Sequence, residues 1–277
     1  MDNFLDRMAR SSRERARLGR KRESIGALAA RAEAVPEPLP LKLQAFDLIA
    51  ELKLRSPAAG GLAGDEFDPG RQLESYANGG AAAVSILTEP EDFQGCLEHL
   101  QDAASQLRPL SCPVMRKDFL VDPYQVIEAR ANGASGVLLI AAMLTDAALD
   151  ELFATARELG LFVLLEAFDS DDLDRLARLA PAESDSQVLI GINSRNLKTL
   201  NVDFNRFGRL AGQIREDVPA VAESGIENVS DIEAVAKLGF CLALVGSALM
   251  RDDDAENTVA SFIAAGRRVT RGQAACS

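Results

Sequence analysis

Zinc chemistry has little to work with in this chain. It carries one histidine, His99, and its four cysteines, Cys96, Cys112, Cys241 and Cys276, form no Cys-x-x-Cys pair. A zinc site needs clustered Cys or His ligands, so no metal site is expected. Scattered cysteines without a secretory signal suit a reducing, cytoplasmic setting. Apolar runs stay too short to cross a bilayer as a helix, and the polar, Arg-rich N-terminus lacks the apolar core of a signal peptide. Gly-x-Gly-x-x-Gly and P-loop lysine motifs are missing too, which removes the sequence support for a dinucleotide or nucleotide fold. Tryptophan is absent altogether.

The charge is uneven. Nine Lys/Arg against four Asp/Glu make residues 1–31 net +5, which leaves −17 for the rest of a chain whose total is −12. So acidic a body disfavours non-specific nucleic-acid binding. Asp2, Asp6, Glu14 and Glu23 interrupt the basic stretch, which fits a solvated or barrel-capping helix better than a nucleic-acid arm.

A rhythm of short apolar runs begins after VPEPLP (35–40), which breaks the helix expected over residues 1–34. The runs are DLIAELK (47–53), AAVSIL (82–87), PVMRKDF (113–119), SGVLLIA (135–141), LFVLLEAF (161–168), VLIGINS (188–194), PAVAESG (219–225) and CLALVGS (241–247). Helix-like segments separate them, and Gly79, Gly133, Gly160 and Gly239 fall where C-cap glycines belong. About eight strand–helix units in 277 residues predict an α/β fold, a single (β/α)8 TIM barrel with an N-terminal helical extension. A doubly wound sheet would show the same alternation with fewer units. The expected division is an extension and linker over 1–45, a catalytic barrel over 46–270 and a tail over 271–277.

Charged residues sit inside these runs at their C-terminal ends. Glu51 and Lys53 share a face of the first strand. Lys117 ends the third, Glu166 the fifth, Asn193 the sixth and Glu223 the seventh. In a barrel these ends converge on one mouth, where the active site lies. A structural charge network would explain one such pair, but several on separate strands favour chemistry. After the last two strands, AESGI (222–226) and LVGSAL (244–249) place glycine and serine where barrels commonly bind phosphate. Ser224, Gly225, Gly246 and Ser247 are therefore the candidate phosphate contacts. Lys53 and Lys117 can donate protons or pair with a carboxylate, and Glu166 is a candidate for proton exchange. The pattern does not separate proton transfer from lysine imine chemistry.

The segments IAELKLRSP, PVMRKDFLVDPYQ, LLEAFD, IGINSRNL, AESGI and LVGSALM, with SILTEPEDFQG (85–95), resemble the indole-3-glycerol-phosphate synthase family in order and spacing from about residue 46 to 251. The resemblance implies cyclisation and decarboxylation of a carboxyanilino-deoxyribulose phosphate in tryptophan biosynthesis, with no metal or organic cofactor. It implies Lys117 as the general acid of ring closure and Glu166 as the base of dehydration. Lys53 would bind the carboxylate or act as a further acid, with Glu51 and Asn193 as orienting groups and Glu223 beside them. Ser56 joins the phosphate contacts, Phe93, Phe119, Leu138 and Leu244 line a ring pocket, and Arg195 lies near the carboxylate. The bland reading of Leu138 and Leu244 is barrel core. SPAAGG (56–61) departs from the family's Ser-Pro-Ser and following cation, which puts the closing loop in question. The competing functions are a phosphate-binding isomerase or aldolase of the same fold, and a non-catalytic paralogue that binds a phosphorylated ligand or a partner. The expected partner is a small phosphorylated substrate, with no nucleic acid and no membrane, and the expected state is a monomer or weak homo-oligomer.

Overall fold

The computed structural model describes residues 4–56, 60–61, 67–180, 185–196 and 200–274, without the side chains of 56, 273 and 274. Eight parallel strands close into a barrel in sequence order. They are β1 (Asp47–Leu52), β2 (Ala83–Leu87), β3 (Val114–Lys117), β4 (Gly136–Ile140), β5 (Phe162–Ala167), β6 (Val188–Asn193), β7 (Ala220–Glu223) and β8 (Leu242–Val245). β1 closes the ring by pairing with both β2 and β8. Nearly every strand residue is buried, because one face meets the helices and the other fills the barrel, and this is why the strands read as continuous apolar runs. Each strand is shorter than its apolar run; Lys53, for example, lies one residue beyond the end of β1.

The helices are α1 (Phe4–Arg22), α2 (Ile25–Ala34), α3 (Pro69–Asn78), α4 (Leu97–Leu107), α5 (Pro123–Ala131), α6 (Asp146–Glu158), α7 (Ser170–Ala177), α8 (Asn205–Leu210), α9 (Val229–Lys237), α10 (Ser247–Met250) and α11 (Ala255–Ala274). Asp68 and Asp122, each followed by proline, cap α3 and α5, and Asn228 with Asp231 forms a capping box on α9. Among the described residues no helix is long and apolar enough to cross a membrane. The sequence predicts one N-terminal helix, but there are two. Ser24 stops the first and caps the second by accepting from Ala27 N at 3.2 Å. Gly133, Gly160 and Gly239 take positive φ at helix ends as expected, whereas Gly79 stays right-handed and Gly80 makes the left-handed turn. α11 runs past residue 270 to Ala274; residues 275–277 of the expected tail, with Cys276, lie outside the described residues.

Two apolar layers hold the molecule together. One lies between strands and helices; the other fills the barrel with side chains such as Ile49, Met115, Phe162, Leu164, Leu189 and Leu242. The extension reaches both ends of this interior. Leu5 and Met8 of α1 join the interior cluster from the mouth. Leu41 joins it from the opposite end, where Gln187 before β6 holds the Leu41 backbone N–H and C=O at 2.9 Å each. Between them α2 packs along α5 on the outside.

Candidate active site

At the C-terminal mouth a cavity of about 1000 Å³, its open entrance included, gathers the polar strand ends. Glu51, Lys53, Lys117, Glu166, Asn193 and Glu223 line it, with Arg195, Phe93, Phe119, Leu138, Leu244, Ser224, Gly225, Gly246 and Ser247. Ser56 is the one candidate that cannot be placed: its side chain and residues 57–59 of SPAAGG lie outside the described residues, though its backbone pairs with Gly60.

The acid within β1 and the base just past its end form an ion pair that a second lysine shares. Lys53 Nζ stands 2.8 Å from Glu51 Oε1, and Lys117 Nζ stands 3.7 Å from Glu51 Oε2. Burial opposes charge on the Glu51 carboxyl, but the two ammonium groups outweigh it and hold the carboxyl below its ordinary range. Burial likewise opposes charge on Lys117, and Glu51, Glu166 and Glu223 outweigh it, so the ammonium is held above its usual range. That favours the ammonium over the free amine that imine chemistry would need. A side chain at Gly246 would put a Cβ 2.5 Å from Glu51 Oε1 and 3.1 Å from Lys53 Nζ, so only glycine lets the turn after β8 pass over this pair.

Across the mouth, Glu166 and Glu223 face Lys117. Glu223 is buried, and burial first, then the neighbouring Glu166 carboxyl, push its carboxyl well above the usual range. Asn193 accepts from Arg195 N at 2.9 Å, which turns the chain at the end of β6. Arg195 lines the cavity while its guanidinium donates to Leu200 O at 2.8 Å, so part of it braces its own loop. After β7, Ser224 and Gly225 both take positive φ, 67° and 74°, and Ser194 Oγ donates to Ser224 O at 2.9 Å. After β8, Gly246 leads into the four-residue α10, which starts at Ser247. Two tight turns thus stand side by side, built from small residues.

The opposite wall is apolar. Glu89 holds the loop after β2 by accepting from the N–H groups of Glu91, Asp92 and Phe93 at 3.0, 2.7 and 3.1 Å. This presents Phe93 to Phe119, centroids 6.2 Å apart, and Phe4 of α1 meets Phe119 edge-on at 5.8 Å. Leu138 and Leu244 are 1% and 5% exposed, so they are barrel core and cavity wall at once.

Phe4 and Asp118 are lining residues the sequence reading missed. Asp118 is the anchor of the extension: it takes Arg15 through two 2.7 Å bonds, Thr88 Oγ1 at 2.8 Å, Arg116 at 3.0 Å and the Phe119 N–H at 2.8 Å. Burial opposes its charge, yet the hydrogen bond from Arg15 and the charges of Arg116 and Arg15 hold the carboxyl well below the usual range. A depressed folded-state pKa means stability that is fully present above the unfolded value, near pH 4, and is lost as pH falls below it. Asp118→Ala takes the carboxylate from Arg15, while Arg116 keeps Glu128 at 2.8 Å, and is expected to cost about 1.5–3 kcal/mol in urea unfolding at pH 7, the worth of hydrogen bonds to a charged group. A cost under about 1 kcal/mol would show that α1 does not depend on this contact.

The family model described as indole-3-glycerol phosphate synthase matches residues 6–262. Curated indole-3-glycerol phosphate synthases are similar over most of their length. The one from Nocardioides sp. is 44% identical over 224 residues, 80% of this chain and 82% of that one. Mycolicibacterium gilvum gives 40% over 252 residues, 88% and 89% of the two chains. Lacticaseibacillus paracasei gives 39% over 222 residues, 80% and 82%. Among solved structures, 3-hexulose-6-phosphate synthase from Salmonella typhimurium superposes with a TM-score of 0.61 at 14% identity, over 81% of this chain and all of that one, a likeness of fold alone. The chain belongs to the indole-3-glycerol phosphate synthase family.

Proposed function

We propose that this barrel closes an indole ring with the residues gathered at its mouth. It is a carboxy-lyase of tryptophan biosynthesis. The reaction converts 1-(2-carboxyphenylamino)-1-deoxyribulose 5-phosphate to indole-3-glycerol phosphate, carbon dioxide and water. The observation that carries the residue assignment is the Lys53–Glu51–Lys117 cluster, facing two glutamates across a cavity with one apolar wall.

In this reading the phosphate lies against the turns at Ser224–Gly225 and Gly246–Ser247, where small residues let backbone N–H groups approach an anion. The anilino ring lies between Phe93, Phe119, Leu138 and Leu244. Lys53 pairs with the ring carboxylate, and Glu51 fixes both lysines. Lys117 gives its proton to the ketone oxygen as the ring carbon attacks the carbonyl carbon. Loss of carbon dioxide restores the aromatic ring. Glu166 then takes a proton from the new five-membered ring as the hydroxyl leaves, protonated by one of the lysine ammoniums, as water. Asn193 and Arg195 order the loop beside the carboxylate, and the likeness of the LRSP stretch to the family supports Ser56 as a further phosphate contact. Fixed charges set before the reaction begins are the main catalytic resource of such a site.

We further infer a catalytic barrel that runs from residue 46 through the end of α11, with a mouth-capping extension over 1–45. The free thiols of Cys96, Cys112 and Cys241 suit a cytoplasmic setting, and a monomer or weak homo-oligomer suffices because one chain supplies every group named here.

Indole fluorescence tests the function directly, since the chain has no tryptophan and the product signal rises from a low background. Addition of the carboxyanilino substrate should produce it; no signal, with substrate intact, would leave a ligand-binding paralogue. Ser247→Asp tests the phosphate end. It should weaken substrate binding by roughly 1.5–3 kcal/mol, the worth of a charge-assisted contact, with repulsion added. Inorganic phosphate should inhibit the parent and inhibit the variant much less. Equal inhibition of both would put the anion elsewhere.

A further inference from the structure

The interior of such a barrel is filled by layers of bulky side chains, and Gly191 leaves a hole in one of them. It lies within β6, in register with Glu166 of β5 on one side and Val221 of β7 on the other. A glycine inside a strand costs backbone entropy and marks a place where something approaches closely. Here the visitor is a carboxyl group. A Cβ on Gly191 would stand 2.0 Å from Glu223 Oε1, 3.0 Å from Glu223 Cδ and 3.1 Å from Leu164 Cδ1. Glu223 is in register with Asn193, one layer nearer the mouth. Its side chain does not stay at that level but drops into the space above Gly191, whose register partner is Glu166.

Both Glu223 oxygens are buried, and neither meets a hydrogen-bond donor among the described residues. The neighbouring acid is Glu166, the register partner of Gly191 on β5, and its carboxyl raises the pKa of Glu223. Two acceptors face each other there unless one carries a proton, and buried carboxylates in contact do not both ionise. The other charged groups facing Glu223 are Lys117 from β3 and Glu51 from β1. Lys117 favours the charged form of Glu223, and burial with the two glutamates outweighs it.

We propose that Gly191 is a positioning residue: the space left by its missing side chain seats the Glu223 carboxyl against Glu166, and the two carboxyls enter the reaction holding one proton between them. Glu223 carries that proton and donates it in a hydrogen bond to one oxygen of Glu166. The second Glu166 oxygen stays free and aimed by that bond. When Glu166 takes a proton from the substrate ring the pair holds two; it returns to one when Glu166 passes that proton to water. This rests on Glu166 as the base, while the seat itself stands on geometry alone.

Gly191→Ala in the full chain, with Glu223→Ala and the double variant, separates the two. Filling the seat should lower Tm clearly in the parent and much less once Glu223 is shortened, because contacting residues are coupled and distant ones are additive. An equal fall in both backgrounds would overturn the seat, whatever base the reaction uses. If Gly191→Ala does not fold at all, the double variant should fold; its failure too would count against the proposal. Where Gly191→Ala folds, kcat should drop by about a hundredfold, as for a catalytic group misplaced by about an ångström. KM should stay within about threefold, since phosphate and ring contacts are elsewhere. Glu223→Gln also lowers kcat, and the Gly191→Ala/Glu223→Gln pair should be no slower than the slower single variant. Unchanged kcat, or a double loss equal to the product of the singles, would refute the positioning role.

Discussion

Lys117→Ala should reduce kcat by about 10²–10⁴-fold, the worth of a positioned general acid, with a far smaller change in substrate affinity. The site around Lys117 gives the reason. Its ammonium is 3.7 Å from Glu51 and faces Glu166 and Glu223 as well, and the charge of Glu51 foremost, then Glu166, outweighs burial and holds it above its usual range. The alanine variant loses the proton donor but keeps the turns at Ser224 and Ser247 and the Phe93–Phe119 wall, so the substrate still finds both ends of its site. Lys53 remains on Glu51 at 2.8 Å and preserves the charge balance of that carboxylate. Steady-state kinetics in the indole fluorescence assay would measure both constants. A variant with near-parental kcat would show that Lys117 is not the acid, and Lys53 would be the next candidate.

Glu166→Gln is expected to slow the step it serves by about two to four decades, because the amide keeps size and hydrogen bonding but removes the basic oxygen. A structural glutamate would tolerate the amide at a loss near one hydrogen bond, about 0.5–1.5 kcal/mol. The neighbourhood sharpens the contrast. Burial and the Glu166 carboxyl push the Glu223 carboxyl well above its usual range; with the proton proposed for it, Glu223 would still donate to the amide oxygen, so the variant should fold with its pair intact and fail in chemistry. Parental turnover by Glu166→Gln would remove Glu166 from the mechanism.

Much of this site is legible in the sequence, for a physical reason. Parallel strands buried on both faces leave no room for polar residues except where they end, so Glu51, Lys117, Glu166, Asn193 and Glu223 stand out against apolar runs such as LFVLLEAF. The small-residue turns at Ser224–Gly225 and Gly246–Ser247 stand out in the same way. What remained hidden depends on partners far apart in the chain. Asp118 sits beside Lys117 in RKDF, but its partner Arg15 is 103 residues away on a helix whose charges fit a solvated or a barrel-capping role equally. Phe4 belongs to the ring wall only because that contact lays α1 across the mouth. Gly191 gave no signal at all, since IGIN reads as an ordinary strand; its meaning lies in the Glu223 carboxyl that folds into its place. The break at Ser24 was hidden for a different reason, because helix formers continue on both sides of it.

The proposed division of labour across the mouth, with lysines closing the ring and a glutamate finishing it, is tested most directly by timing carbon dioxide against indole in one turnover of Glu166→Gln. Substrate labelled in the ring carboxyl would be mixed with excess enzyme, quenched at intervals, and analysed for released label, for indole-3-glycerol phosphate and for the hydroxylated, decarboxylated intermediate. Carbon dioxide should appear at nearly the parental rate, the intermediate should accumulate, and indole should follow two to four decades more slowly. If label and indole are delayed together, Glu166 serves ring closure or binding, and the assignment of the two sides of the mouth is wrong.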